Sequence, residues 1–445
     1  MTGVGIDAIE LWTGKLRLDL PEEFAPVKGE DPEKYTKGLG LYASSFPDAY
    51  EDIVTMAANA AHRLMERKNV DPEDVGRIDV ATESSFDKSK PISTYVAGAL
   101  EQVFDGQFTH ANKGERKFAC LSGTQALDDA LNWILAGRNR GRGAIVITTD
   151  TALYERGDAG EATQGAGAVA MYVTEDPDLL ELSETQGIGS LDETDFLKPN
   201  QQFPSVDGKR SMQVYLSRMR EALEDFESVS GRTHPDDYRF IPFHTPFPGM
   251  VRKAARLGFR HMIRDTDVED QLADEIGRQP REEDYDDREA YEADILEYMD
   301  DLTETQAYQD WYDRVIDPTL YISRNVGNWY TSSVHIARIS ALIHALEEDI
   351  DLAGEKFLVG SYGSGAQAEI HEETILPGWK DEIRMNNVDE QLEARHDIDF
   401  GEYELVHDQH NLKKDSELEP FTTPEGEFVF DGWGPMNERK YTYVE

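Results

Sequence analysis

A chain of 445 residues, 39% of them hydrophobic and 10% aromatic, can bury a substantial core as two fused domains or one large α/β body. Its 44 basic and 89 acidic residues give a net charge of −45, which argues against nucleic acid as a partner. The acidic residues are spread along the chain, with a denser patch at 282–294, and follow neither a tail nor a calcium-loop pattern. Because concentrated salt screens such repulsion, the composition predicts a globular protein from a salt-adapted host.

Two further features restrict the class of protein. The first residues show no basic segment followed by an apolar run, and no window reaches the roughly 18 apolar residues that span a membrane. We therefore expect a cytoplasmic protein without a membrane partner. The single cysteine, Cys120, excludes an intramolecular disulfide and a multi-thiolate metal site, so Cys120 is either a small buried residue or a nucleophile.

Hydrophobic periodicity predicts alternating helices and strands through the first part of the chain. In order, these are a helix at 51–69, a strand at 77–83, a helix at 93–104, a short strand at 116–120, a helix at 121–137, and strands at 143–150 and 165–173. The strand at 77–83 ends near Glu83, and Cys120 lies between a strand and a helix. Both residues are therefore expected at the rim of a parallel sheet, where ligands of α/β proteins bind.

The same order of elements returns in the second part of the chain. It predicts a helix at 211–226, a strand at 238–244, helices at 249–263 and 329–348, a strand running into a glycine-rich turn at 356–370, and closing strands in the tail at 421–445. The acidic segment 265–318 is helical in pattern and broken at Pro280, which indicates a peripheral surface insertion. We expect two similar α/β halves, 1–175 and 176–445, around one central cleft.

Three residues in this pattern could carry chemistry. Unpaired amides at the start of the helix after Cys120 would lower the pKa of its thiol. Glu83 could act as a general base, and His244, which ends the strand 238–244, could bind or protonate a substrate. Taken alone, each of these residues is better explained by a structural role. The basic pair Arg252 and Lys253 stands out only because the chain is so acidic.

Seven separated motifs, in one order from residue 3 to about 370, make the chain similar to the hydroxymethylglutaryl-coenzyme A synthase family. They are ATESS around Glu83, FACLSGTQAL around Cys120, GEATQGAGAVAM at 160–171, FPSVDGKRSMQVYL at 203–216, PFHTPFPGMVRKA around His244, SRNVGNWYTSS at 323–333 and GSYGSGA at 360–366. The resemblance implies a thiolase-like α/β fold with two similar αβαβα halves in a five-layered body. It also implies a homodimer that needs neither a metal nor a cofactor.

The resemblance further implies a role for each site residue. Cys120 would take the acetyl group of acetyl-CoA, Glu83 would remove a proton from the acetyl methyl, and His244 would bind acetoacetyl-CoA. The amides of Cys120 and Ser361 would hold the acetyl oxygen. The other residues implied are Tyr154, Asn328 and Thr163 in the pocket, Asp150 and Asp207 as orienting acids, and Lys253 with Arg252 at the phosphates of coenzyme A. The product would enter the mevalonate route to isoprenoids, and the host would be a halophilic archaeon.

Three alternatives remain at this point. An initiating ketoacyl-ACP synthase has a similar Cys, His and Asn set but no glutamate in the position of Glu83. A degradative thiolase requires a second cysteine, which this chain lacks. A non-catalytic thiolase-like scaffold would tolerate loss of Cys120, Glu83 and His244, all of which are present.

Overall fold

The computed structural model describes residues 3–409, 416 and 418–445. The strands are β1 (Val4–Thr13), β2 (Leu16–Asp19), β3 (Ala43–Phe46), β4 (Val75–Ala81), β5 (Asn112–Arg116), β6 (Gly143–Ala152), β7 (Gly165–Glu175), β8 (Leu180–Ser190), β9 (Phe196–Leu197), β10 (Ser205–Val206), β11 (Lys356–Gly363), β12 (Gln367–Ile375), β13 (His396–Ile398), β14 (Glu427–Trp433) and β15 (Arg439–Val444).

The helices are α1 (Ala25–Lys28), α2 (Ile53–Lys68), α3 (Ile92–Leu100), α4 (Ser122–Leu135), α5 (Gly208–Ser230), α6 (Pro248–Ile263), α7 (Asp267–Ile276), α8 (Arg288–Glu304), α9 (Gln306–Val315), α10 (Tyr321–Val326), α11 (Ser333–Glu347), α12 (Trp379–Arg384), α13 (Val388–Glu393) and α14 (Phe400–Gln409). None of the helices in the described part of the chain combines the length and the apolar character needed to cross a bilayer.

A mixed sheet joins both parts of the chain in the strand order β11-β12-β8-β1-β7-β6-β4-β5. Strands β5, β4 and β6 are parallel, whereas β7 runs antiparallel to β6 and to β1. A short antiparallel contact between β1 and β8 joins the strands of the first part to the β8, β12 and β11 strands of the second. Because β4 and β6 are parallel neighbours, their carboxyl ends meet at the same edge.

Helices cover the strands in layers. Helices α2 and α3 pack on the outer face of the first part, and α5 packs on β8 and β12, with α6 beside it, on the outer face of the second. Between the two groups of strands lie α4 and α11, and α11 is buried over nearly its whole length, as a central helix must be. The predicted five-layered thiolase-like α/β body is therefore confirmed.

Two predicted strands are wrong in their bounds. Residues 238–244 run parallel to β11 but bridge it only at Phe240 and Phe243, because Pro242 between them has no N–H to donate. The strand expected at 116–120 instead ends at Arg116, as β5, and the chain turns at Ala119, whose φ of 43° is left-handed. The turn itself proves important for the site.

The acidic insertion is not wholly a surface element. Its helices α7, α8 and α9 expose most of their described acidic side chains, although Glu269 is buried, and their apolar side chains join the buried cluster of α5 and α6. Leu272, Leu302 and Trp311 are each at most 5% exposed within this cluster. The expectation of a purely peripheral segment fails because a charge-rich sequence still carried an apolar stripe at helical spacing.

The closing strands predicted in the tail are confirmed as the hairpin β14–β15, and the hairpin returns to the first part of the chain. Phe428 is fully buried against α2, where its backbone N–H donates to Asn59 Oδ1 at 2.7 Å. Arg439 forms a buried ion pair with Asp52, the residue that caps the start of α2. The last strands of the chain thus complete the outer layer formed by α2 and α3.

Candidate active site

Glu83 is held at the carboxyl edge of the sheet by a buried acid. Strand β4 ends at Ala81, opposite Thr148 of β6. Two residues further along each of these neighbouring segments lie Glu83 and Asp150. The Asp150 carboxylate accepts hydrogen bonds from Glu83 N at 2.9 Å, Thr82 Oγ1 at 3.0 Å and Ser84 Oγ at 2.7 Å. Asp150 is fully buried and therefore fixes the turn that carries Glu83.

Cys120 is presented by the strained turn between β5 and α4. A non-glycine residue with left-handed φ, such as Ala119, costs about 1–2 kcal/mol and persists only where its surroundings enforce it. Here Leu121 N donates to Phe118 O at 3.1 Å, and Ser122 Oγ donates to Ala119 O at 2.8 Å. The turn directs the Cys120 thiol at Glu83, with 2.9 Å between Sγ and Oε1.

The electrostatics of this pair differ from the expectation. Burial raises the pKa of Glu83 to about 8, and the charge of Asp150 adds to the effect. Burial and the neighbouring Glu83 carboxylate also raise the pKa of the Cys120 thiol well above its usual value. The predicted lowering by the helix start is therefore wrong: α4 begins only at Ser122, and the thiol faces a carboxylate. The Cys120 thiol would therefore become a thiolate by transferring its proton to Glu83.

His244 reaches the same cavity from the second part of the chain. Its backbone N–H donates to Gly360 O at 2.7 Å, and its Nδ1 contacts Ser333 Oγ at the first residue of α11. Ser333 Oγ also accepts from Thr245 N at 3.3 Å, so the hydroxyl proton is left for Nδ1. The imidazole then carries its own proton on Nε2. Burial lowers the pKa of His244 to about 3, which keeps the ring neutral.

A cavity of about 520 Å³ brings these groups together. Glu83, Cys120 and His244 line it, with the predicted residues Tyr154, Asn328 and Thr163. The backbone N–H of Asn328 donates to Thr163 O at 2.9 Å, and its Oδ1 accepts from Tyr330 N at 2.8 Å. That arrangement fixes the side chain and leaves its amide hydrogens for a ligand. Burial raises the pKa of Tyr154, so its phenol stays a neutral hydrogen-bond donor.

A thiol beside a carboxylate, in one cavity with a neutral imidazole, can support covalent acyl transfer followed by proton abstraction. Among the described residues no cluster of His, Cys, Asp and Glu is arranged to hold a metal ion. The chemistry available to the described side chains is therefore that of a thiol nucleophile with a nearby base and hydrogen-bond donors.

Comparisons with known proteins agree with this arrangement. The family profile described as "Hydroxymethylglutaryl-coenzyme A synthase N terminal" matches residues 2–178, and the one described as C terminal matches residues 191–425. A hydroxymethylglutaryl-CoA synthase of Haloferax volcanii is 73% identical over 445 residues, covering 100% of both chains. This chain belongs to the hydroxymethylglutaryl-CoA synthase family. The membership sets aside the ketoacyl-ACP synthase and degradative thiolase alternatives.

More distant members of the family are similar over most of the chain. The human mitochondrial hydroxymethylglutaryl-CoA synthase is 32% identical over 382 residues, covering 82% of this chain and 72% of its own. The solved structure of MvaS in complex with 3-hydroxy-3-methylglutaryl coenzyme A superposes with a TM-score of 0.84 at 28% identity, covering 100% of both chains. A synthase structure complexed with CoA gives 0.78 at 26% identity, covering 99% of this chain and 100% of that one.

Two of the residues implied by the family resemblance lie elsewhere. Ser361 is buried behind the cavity, where its hydroxyl contacts Thr124 of α4 at 2.6 Å. Since Gly360 turns its N–H and C=O towards residues 242 and 244, alternation along β11 turns the Ser361 amide towards β12. Ser364 lines the cavity instead. Asp207 caps the start of α5 by accepting from Arg210 N at 3.1 Å, and does not line the cavity.

The close approach of the β11–β12 turn explains why Ser364 is the serine beside Cys120. A side chain on Gly363 would meet Phe118 O at 2.5 Å and Leu121 N at 2.8 Å, so only glycine allows the turn to touch the Cys120 loop. The motif GSYGSGA contains both serines, and only the strand register decides which of them faces the cavity.

The basic pair Arg252 and Lys253 lies on the exposed side of α6, beside the cavity. Arg252 donates to Lys37 O at 2.7 Å, and Lys253 Nζ lies 2.7 Å from the sulfur of Met212, which lines the cavity. Neither forms an ion pair with an acid in the described part of the chain, although the protein is strongly acidic. Lys198 is a further cation close enough to act on the Glu83 carboxylate, and sequence reasoning missed it.

Proposed function

We propose that this protein condenses acetyl-CoA with acetoacetyl-CoA and water to give 3-hydroxy-3-methylglutaryl-CoA and CoA. The contact that carries the proposal is the 2.9 Å approach of Cys120 Sγ to Glu83 Oε1 inside a cavity that His244 also lines. Membership of the hydroxymethylglutaryl-CoA synthase family supports the same reaction. The product would feed the mevalonate pathway.

In the first step, Glu83 accepts the thiol proton and Cys120 Sγ attacks the acetyl carbonyl of acetyl-CoA. The leaving sulfur of CoA takes the proton back from Glu83, so the carboxylate is free for the next step. Donors at the cavity wall near Ser364 and the Cys120 amide would stabilise the charge on the acetyl oxygen. The result is an acetyl thioester on Cys120 and free CoA.

In the second step, Glu83 removes a proton from the acetyl methyl, and the carbanion attacks the ketone carbon of acetoacetyl-CoA. His244, neutral and protonated on Nε2, would donate a hydrogen bond to the ketone oxygen as charge develops there. Asn328 and Tyr154 would help to position the acyl groups. The proton that Glu83 took from the methyl passes to the former ketone oxygen, which becomes the 3-hydroxyl group, and the carboxylate is restored. Water then cleaves the thioester on Cys120 and releases the product.

The phosphates of coenzyme A would bind outside the cavity at Lys253 and Arg252. The support is their position beside Met212 and their lack of an acidic partner in the described part of the chain, which leaves both cations available to an anion. We expect a Lys253→Gln variant to raise the KM for acyl-CoA substrates while kcat changes little.

The remaining expectations also belong to this proposal. We expect a cytoplasmic homodimer that needs no cofactor and keeps its fold best in concentrated salt, because screening offsets the repulsion of a net charge of −45. We also propose that the chain divides into the halves 1–175 and 176–445. The end of β7 at Glu175 supports that division, whereas the hairpin β14–β15 crosses it.

The deciding experiment is an assay in high salt with both substrates, in which CoA release is followed and the intact enzyme is weighed by mass spectrometry after acetyl-CoA alone. Native protein should release CoA and gain one acetyl group. Cys120→Ala should do neither, and Glu83→Gln should accumulate the acetyl form slowly without condensation. If no acetylated enzyme forms at any salt concentration, the protein acts as a scaffold and the proposal is wrong.

A further inference from the structure

A second large cleft lies away from the reaction cavity, between β1 with α2 on one side and α13 with its flanking residues on the other. Its volume is about 550 Å³, and it shares no lining residue with the reaction cavity. We call it the β1–α13 cleft and define it by Trp12, Lys15, Arg63, Asn386 and Arg395, all of which line it. The cleft therefore needs an explanation other than the acyl-CoA reaction.

The first observation is an arginine, Arg63, that has no hydrogen-bonded acidic partner among the described residues, although the charges of Glu10 and Glu427 act on it. The Arg63 guanidinium stacks on the Trp12 ring at 4.2 Å from the ring centroid, and Lys15 Nζ lies 4.6 Å from the same centroid. No hydrogen bond or ion pair joins Arg63 to any residue in the described ranges 3–409, 416 and 418–445. Stacking orients the guanidinium and leaves its N–H groups unused.

Arg395 is a second cation of the same kind, on the opposite side of the cleft. It is only 8% exposed, and its side chain donates to the carbonyls of Leu392 at 3.0 Å and Asn325 at 2.8 Å. Burial lowers its pKa to about 10, and the nearby charge of Arg17 adds to that effect, yet the group stays charged at neutral pH. Neutral carbonyls hold Arg395 without neutralising it.

The third observation is a buried amide with unfilled bonds. Asn386 is 1% exposed, and in the described structure neither its Oδ1 nor its Nδ2 has a hydrogen-bond partner. Leaving a buried polar group unsatisfied costs about 1–3 kcal/mol, so such groups in native proteins normally meet a ligand or an ordered water. An amide donor beside two cations is suited to an anion's oxygen.

Acidic residues pair with two of the four cations that line the cleft. Glu10 lies 3.4 Å from Arg67, and burial raises its pKa to about 7, while Glu66 and Glu390 are on the exposed rim. Of the four cations in the lining, Lys15 is paired with Glu427 at 3.1 Å and Arg67 with Glu382 at 2.7 Å. In the described part of the chain Arg63 and Arg395 form no ion pair, so these two guanidinium groups are the ones available to an anion.

We propose that the β1–α13 cleft binds a small anion through a carboxylate or phosphate group, whose oxygens accept hydrogen bonds from Arg63, Arg395 and Asn386. The ligand joins β1 and α2 to the segment that carries α12 and α13, so it stabilises the contact between these parts. It is an effector or structural ligand, because the acyl-CoA chemistry takes place in the other cavity.

The test is isothermal titration of the full-length protein with inorganic phosphate and, separately, with succinate, at constant pH in 3 M NaCl. Saturable binding of one anion per chain is expected for at least one of the two, and the two titrations distinguish a phosphate from a carboxylate site. We expect affinity to fall at least tenfold in Arg63→Gln and in Asn386→Leu, each confirmed as folded by circular dichroism.

Two control variants define the site. Arg278→Gln removes an exposed arginine just after α7 that does not line the cleft and lies 3.7 Å from Asp270, and this variant should bind as the native protein does. Lys253→Gln should also bind normally, because it alters the neighbourhood of the reaction cavity. The proposal is overturned if neither anion binds saturably, if Lys253→Gln abolishes the binding, or if binding is unchanged in both Arg63→Gln and Asn386→Leu.

Discussion

Replacing Ser333 by alanine should separate the two chemical steps. The hydroxyl of Ser333 contacts His244 Nδ1 and accepts from Thr245 N, and thereby keeps the imidazole proton on the side of the cavity. Without it, Nδ1 becomes a buried nitrogen with no partner, and the other tautomer becomes accessible. Losing such a bond costs about 1–3 kcal/mol. At 1.36 kcal/mol for each factor of ten, condensation should slow by about 5- to 150-fold.

Acetylation of Cys120 should be unaffected, because Glu83 and not His244 lies beside the thiol. The assay therefore compares the rate of enzyme acetylation by acetyl-CoA, followed by mass spectrometry, with the rate of condensation when acetoacetyl-CoA is added. The matched control is Ser332→Ala, which removes a neighbouring buried hydroxyl that bonds to Thr148 Oγ1 at 2.7 Å. The tautomer argument is refuted if Ser333→Ala condenses within twofold of the native rate, or if Ser332→Ala is equally slow.

Three further outcomes are expected. The condensation rate should rise with pH through about 8, because burial raises the pKa of Glu83 to about that value and only the carboxylate can act as the base. Asp207→Asn should retain native activity, since asparagine caps a helix as well as aspartate, whereas Asp207→Ala should lose about 1 kcal/mol of stability. Arg338→Met should lower the free energy of unfolding by about 3–5 kcal/mol, because it leaves the buried Glu373 carboxylate without its guanidinium partner.

Each outcome has a measurement that can contradict it. A condensation rate that is flat between about pH 6 and 9, measured at fixed salt with saturating substrates, would rule out Glu83 as the base with a raised pKa. A large loss of activity in Asp207→Asn would show that the negative charge of Asp207 matters for the reaction, and that capping α5 is not its only role. Denaturant unfolding in high salt tests Arg338→Met, and a change below about 1 kcal/mol would mean that His371, which lies 3.0 Å from Glu373, is a sufficient partner.

The order of elements and the main catalytic candidates could be predicted from the sequence because both depend on local patterns. Apolar runs in the sequence predicted β4, β6 and β7. A polar residue that follows such a run lies at the edge of the sheet, and Glu83 is an example. Family motifs then combined Glu83 with Cys120 and His244, and the cavity contains all three.

What the sequence could not supply depends on direction and long-range contact. The side chain that faces a cavity is set by strand register, so Ser361 and Ser364 could not be distinguished within one glycine-rich motif. The pKa of Cys120 depends on Glu83, which lies 37 positions earlier in the chain, and not on the helix that follows it. Ser333 falls within the helix predicted at 329–348 and ends the SRNVGNWYTSS motif, but nothing local indicates its contact with His244.

The hairpin β14–β15 has a consequence for how the chain is made. Ribosomes deliver the amino terminus first, yet the α2 surface that Phe428 covers belongs to the first part of the protein. During translation that apolar surface stays open to water, or to a chaperone, until residues 427–444 have been synthesised. Loss of this hairpin would therefore remove few residues but leave the earliest-synthesised layer unfinished and prone to aggregate.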